Sequence, residues 1–144
     1  MKLSSTDKQA LREHLCQLQL TVLKAIIDAR SKLQPNELSA ISGVTAADTI
    51  YAIDTIADEA IFKWFEQNWP AEWPVQIIME GLDDAHTLCF PLGTEVNDTR
   101  LKCIIDPIDG TRGIMYDKRS AWILTGIAPQ RGSENMLADI EVSV

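Results

Sequence analysis

The chain has 144 residues, of which 46% are hydrophobic and 24% charged, so it can bury the core of one ordinary domain. A formal net charge of -8 argues against a nucleic-acid polymer or an anionic membrane as the main partner, and favours cations. Three widely spaced cysteines (Cys16, Cys89, Cys103) and two distant histidines (His14, His86) suit neither a disulfide framework nor a zinc site; reduced thiols are expected.

The first residues, Met1-Lys2-Leu3-Ser4-Ser5-Thr6-Asp7, contain no apolar signal core, and no later run is long enough to cross a bilayer, so a cytoplasmic protein is expected. Leu11, Leu15, Leu18, Val22, Ile26, Ala29 and Leu33 recur every three or four residues and predict an amphipathic helix over 6–33, capped by Ser5, Thr6 or Asp7. Pro35-Asn36 ends it, and a looser segment runs through Gly43. Ile53, Ile56, Ala57, Ala60, Ile61, Trp64 and Phe65 write a second helix that stops before Pro70.

Beyond Pro74 the apolar residues come in short runs of strand length: 75–79, 88–90, 101–105, 121–128 and 136–144, the last two joined by a Pro129-Gln130-Arg131-Gly132 turn. Helices first and strands afterwards predict an α+β fold, two helices packed on one face of a mainly antiparallel sheet. The sequence ends inside the last strand pattern, which reads as an end in mid-domain.

The chemistry concentrates in Asp106-Pro107-Ile108-Asp109-Gly110-Thr111, at the exit of the apolar run Ile104-Ile105. Pro107 fixes the backbone between two aspartates, and Gly110 permits an unusual φ. Carboxylates held about 4 Å apart repel by ~1 kcal/mol in water and by ~4 kcal/mol at an effective dielectric near 20, which a divalent cation removes. Oxygen donors without nearby His or Cys favour Mg²⁺, with Mn²⁺ or Ca²⁺ as alternatives. A bare Asp-x-x-Asp pair, however, more often caps turns. Successive backbone N–H groups along Gly110-Thr111-Arg112-Gly113 could cradle an anion. Glu80 follows the run Ile77-Ile78-Met79 and would leave the sheet on the same edge as Asp106 if the two strands are neighbours. Asp54, followed by Asp58 and Glu59, suits the start of a helix whether or not it has a further role.

With these residues in view, the hexapeptide 106–111 resembles the Asp-Pro-Ile/Leu-Asp-Gly/Ser-Thr signature of the inositol monophosphatase family, lithium-sensitive, Mg²⁺-dependent phosphatases related to fructose-1,6-bisphosphatase. The resemblance implies the N-terminal layer of the sugar-phosphatase αβαβα sandwich, residues 1–144 forming the α+β domain and a C-terminal α/β half being absent. It implies that Glu80, Asp106, Asp109 and the Ile108 carbonyl bind metal, that Gly110 and Thr111 hold phosphate through backbone N–H groups, and that the Thr111 hydroxyl orients the attacking water with an upstream aspartate. Ala47-Asp48-Thr49-Ile50-Tyr51-Ala52-Ile53-Asp54 is similar to the family's upstream segment, which makes Asp54 that aspartate. Two departures stand out: Gly81 replaces the second glutamate of the family's Glu-Glu pair, and the Trp-Asp-x-x-Ala/Gly motif of the C-terminal half does not occur.

The expected function is therefore Mg²⁺-dependent hydrolysis of a phosphate monoester, an inositol monophosphate or a related sugar or nucleotide phosphate. The alternative is a truncated, non-catalytic cation-binding or assembly module of the same fold. The expected partner is a small phosphorylated metabolite, with no nucleic-acid polymer or membrane; a homodimer is compatible with the family. Arg112, Lys118 and Arg119 lie just beyond the motif and could meet a second phosphate or form a solvated basic patch.

Overall fold

The first helix of the computed structural model, which describes residues 2–44, 49–79, 82 and 87–144, is α1 (Ser5–Lys32), with Leu11, Leu15, Leu18, Val22, Ile26 and Ala29 buried along one stripe. Its cap is Ser4, one residue before the earliest candidate. Ser4 Oγ accepts the Asp7 N–H, and the Asp7 carboxylate accepts the Ser4 N–H, both at 3.1 Å. Asp7 thus closes a reciprocal capping box from inside the helix.

A short helix, α2 (Pro35–Leu38), follows, and the segment expected to be loose is partly a strand. There β1 (Ile41–Val44) pairs antiparallel with β2 (Thr49–Tyr51), Ile41 lying opposite Tyr51. Sequence periodicity misses strands this short, particularly one interrupted by glycine. The ladder delivers Tyr51 directly to the start of α3 (Ala52–Asn68), which buries Ile53, Ala57, Ile61, Trp64 and Phe65. Phe65 stacks on Phe90 with ring centroids 5.2 Å apart and meets Trp64 edge-on at 5.4 Å, pinning the helix to the sheet below.

That sheet contains β3 (Val75–Met79), β4 (Leu88–Phe90), β5 (Leu101–Asp109), β6 (Trp122–Pro129) and β7 (Val142–Ser143), in the spatial order β4-β3-β5-β6-β7. Only β3 and β5 pair in parallel; the other three pairings are antiparallel. The fold is accordingly α+β with a mainly antiparallel sheet. Leu101, Cys103 and Ile105 point into the core with the stripes of α1 and α3, whereas Ile78 and Ile104 are exposed on the opposite side. Gln19, midway along α1, donates from Nε2 to the Val144 carbonyl at 2.8 Å and the Ile123 carbonyl at 2.9 Å, fastening the helix to β6 and the residue after β7.

Two strand expectations need correction. Residues 136–144 are not one strand: Leu137–Asp139 form a 3₁₀ turn in which the Asp139 carboxylate accepts the Met136 N–H at 2.9 Å, and only Val142–Ser143 join the sheet. Alternating apolar residues imitate a strand there while a local side-chain bond favours a turn. The 101–105 run also extends four residues further, so Asp106 and Asp109 belong to β5 rather than following it.

Among the described residues, no helix is long and apolar enough to cross a membrane. The three cysteines are free thiols; Cys89 and Cys103 are buried and Cys16 is half-buried. Burial pushes the Cys103 thiol up to about 12, which leaves almost no reactive thiolate near neutrality. Iodoacetamide should therefore leave Cys103 unlabelled in native buffer and label it in concentrated guanidinium, as peptide mass mapping would reveal; native labelling at the rate of an exposed thiol would contradict the packing.

Candidate active site

The site begins with an irregularity in β5. Asp106 lies opposite Leu124 and Asp109 opposite Trp122, so Pro107 and Ile108 together face the single residue Ile123. This is a β-bulge, a location that tolerates the missing N–H of proline. In an unbroken strand Asp109 would share the core-facing side of Leu101, Cys103 and Ile105. The extra residue instead buries Pro107 and Ile108 in succession and brings Asp109 out into solvent, while Asp106 is half-buried. The bulge thereby exempts Asp109 from the core, whereas Asp106, before it, already lies on the outer side with Lys102 and Ile104.

Electrostatics place the two within range of each other. The Asp106 carboxyl is held above its ordinary range, first by desolvation, then by the negative charge of Asp109, with Asp54 adding in the same direction. The Ile108 N–H, which donates to Asp106 Oδ1 at 3.2 Å, pulls the other way. Three acidic side chains from two elements thus share one field.

Asp54, the third residue of α3, reaches this group through Thr111. Thr111 Oγ1 lies 3.0 Å from Asp54 Oδ1 and 2.9 Å from the Ile108 carbonyl oxygen. A hydroxyl has one proton, so it donates to one of these acceptors at a time. The other carboxylate oxygen, Asp54 Oδ2, accepts the Tyr51 N–H at 2.9 Å, which fixes the plane of the carboxylate.

Gly110 makes the turn that presents Thr111. Its φ of 98° is left-handed, which an L side chain rarely adopts, and an added Cβ would come within 3.4 Å of the Ser120 carbonyl oxygen. A five-residue helix, α4 (Thr111–Met115), starts immediately after it, with the Gly113 N–H bonded to the Gly110 carbonyl at 2.9 Å.

The structure therefore gathers Asp54, Asp106, Ile108, Asp109, Gly110 and Thr111 around one end of β5. Glu80 lies outside the described residues. The strands that bear on it are neighbours, however: β3 runs parallel to β5 with Met79 opposite Ile105, so both strands finish at the same sheet edge. Among the described residues, no three acidic, histidine or cysteine side chains form a metal-holding group. The oxygen donors still have the character a hard cation requires: burial and then the Asp109 charge hold the Asp106 carboxyl above its ordinary range, beside the Ile108 carbonyl.

Sequence reasoning missed Tyr51. Its N–H orients Asp54, and its hydroxyl accepts a hydrogen bond from Arg112 Nε at 3.2 Å. The available signal was an aromatic residue immediately before a helix whose third residue is an aspartate.

No protein-family model matches the chain, and no curated protein matches it by sequence. Solved structures do share its α+β fold. The extragenic suppressor protein SuhB from Bartonella henselae superposes with a TM-score of 0.62 at 18% sequence identity over 84% of this chain. A hypothetical protein from Pyrococcus horikoshii with similarities to inositol-1 monophosphatase superposes more loosely, with a TM-score of 0.48 at 12% identity over 80% of the chain. This chain spans 41% of the length of each.

Proposed function

We propose that these residues form the metal- and phosphate-binding part of a Mg²⁺-dependent phosphomonoesterase acting on a small phosphorylated metabolite. The observation that carries this reading is the hydrogen bond from Thr111 to Asp54, made beside the Asp106, Ile108 and Asp109 donors. The motif's resemblance and the shared fold support it.

In this reading Glu80, Asp106, Asp109 and the Ile108 carbonyl hold Mg²⁺ or Mn²⁺. When bound, such an ion neutralises phosphate charge and lowers the pKa of water. The chain's own residues supply the orientation. With its proton donated to Asp54, Thr111 Oγ1 offers lone pairs that accept a proton from water, turning the water oxygen toward phosphorus. Asp54, clamped by the Tyr51 N–H, is the base behind that hydroxyl. The backbone N–H groups of Gly110 and Thr111 hold the phosphate oxygens. By the same resemblance, Li⁺ inhibits.

The test is phosphate release from a panel of sugar, inositol and nucleotide monophosphates. Release that requires Mg²⁺ and stops on chelation is expected, and no release from any of them would sink the enzyme reading for this chain. A second reading, a non-catalytic cation-binding or assembly module, rests on the sequence's departures from the family pattern: Gly81 in place of the second glutamate, and no Trp-Asp-x-x-Ala/Gly ligand motif. It predicts Mg²⁺ binding by calorimetry without phosphate release.

A further inference from the structure

The stripe of α1 that faces the core takes six of its apolar side chains, Leu11 to Ala29. Three large ones lie on a different face: Leu20, Leu23 and Ile27 are 65%, 45% and 54% exposed. Together with half-buried Cys16 they recur at intervals of four, three and four residues. Scattered exposed apolar residues are ordinary, but a row at this spacing, roughly three turns long, is the pattern of one helix packed against another.

The row continues at both ends into opposite charges, Glu13 three residues before Cys16 and Arg30 three residues after Ile27, both exposed. The order Glu13, Cys16, Leu20, Leu23, Ile27, Arg30 therefore has the same spacing read in either direction. A second α1 laid antiparallel across the midpoint between Thr21 and Val22 sets Leu20 against Leu23 of the second copy. It likewise sets Cys16 against Ile27 and Glu13 against Arg30, and it opposes the two helix dipoles. A parallel pair would stack Glu13 on Glu13 and Arg30 on Arg30, like charge on like.

The wider charge distribution favours the same meeting. In a chain of net charge -8, α1 carries five basic and three acidic residues, so the acidic excess lies elsewhere and two copies approach along this helix with least repulsion. Glu13 Oε1 accepts a hydrogen bond from Gln9 Nε2 at 2.8 Å, and Arg30 Nη2 pairs with Asp117. A carboxylate has a second oxygen and a guanidinium has donors on its other nitrogens, so these local bonds do not exhaust either group. The apolar row supplies the attraction, and the end charges set its direction.

We propose that the outer face of α1 is a self-association surface, on which a second copy of this chain packs antiparallel with Leu20 and Leu23 beside the two-fold axis. Such an interface is one helix wide, at the small end for specific complexes, which points to a dissociation constant of about 1–100 µM. The contact is isologous, so it closes on a dimer and does not propagate.

The test has two parts, both on the full 144-residue chain. Sedimentation equilibrium up to about 300 µM should show a mass rising from 16.0 kDa toward twice that value, and Leu20→Glu should weaken the dimer about tenfold or more. Leu20 is exposed, and thermal melts establish that the variant folds; Leu23→Glu gives the same reading from the opposing position. Orientation is read by mild oxidation of Ile27→Cys, which should link Cys16 of one copy to position 27 of the other, as peptide mass mapping would show. In the antiparallel register two Cys16 residues lie about 16 Å apart along the axis, too far for a disulfide. A mass that stays at 16.0 kDa, a dimer that both glutamate variants leave as tight as the parent, or disulfides joining like positions would each overturn the proposal.

Discussion

Asp106→Asn should reduce Mg²⁺-dependent phosphate release on the order of a thousandfold, because a neutral amide can no longer help hold a cation that supplies several kcal/mol of charge stabilisation. The fold should survive. In the folded chain the Asp106 carboxyl lies above its ordinary range, owing to burial first and the Asp109 charge second. The folded state therefore holds this proton more tightly than the unfolded state. Protonation favours folding, and the contribution is lost as pH rises from the unfolded pKa through the folded one. Without metal at neutral pH, ionised Asp106 is thus a liability that asparagine removes. Thermal melts should show the variant at least as stable as the parent in chelator, but without the parent's rise in Tm on adding Mg²⁺. Normal turnover, or an undiminished Mg²⁺ shift, would remove Asp106 from the metal site.

The second large effect concerns the couple between α3 and the turn after β5. Thr111→Val takes away the donor that lies 3.0 Å from Asp54 Oδ1, together with the lone pairs proposed to receive the water proton. Turnover should fall by about a hundredfold to ten-thousandfold, the usual range for losing a positioned acid-base group. Stability should fall by about 1–3 kcal/mol, the cost of removing one partner of a partly buried polar contact. Asp54→Asn attacks the same unit from the other side. Because the two side chains act through one hydrogen bond, the double variant should lose less activity than the two single losses combined. Losses adding to within about 0.5 kcal/mol would mean that the contact has no catalytic part.

Much of the fold was legible because long amphipathic patterns leave few alternatives. The stripe from Leu11 to Ala29 runs for most of a 28-residue helix, and no strand could bury it. Legibility failed where local chemistry outweighed pattern. Met136, Ala138, Ile140, Val142 and Val144 alternate plausibly, but Asp139 draws the backbone into a turn. The apolar run stops at Ile105, yet β5 absorbs Pro107 in a bulge and continues to Asp109.

The site was legible in its order along the chain rather than in its contacts. Asp54 and Thr111 are 57 positions apart, and neither announces the other; only the resemblance of the surrounding segments suggested the pair that the fold brings together. Tyr51 escaped because its contribution to Asp54 comes from the backbone, which side-chain identity does not encode.

The bulge in β5 also bears on which genetic changes this protein can accept. Substitutions that keep size and polarity leave the alternation of the strand intact. A single codon lost or gained between Leu101 and Asp106 would do something different: every residue downstream in the strand would change faces. Asp106 would turn into the core, and one of its apolar neighbours would take its place at the site. Drift in composition can therefore run far in this segment, whereas its length is nearly frozen, since one added or missing residue would cost both the hydrophobic seam and the chemistry it carries.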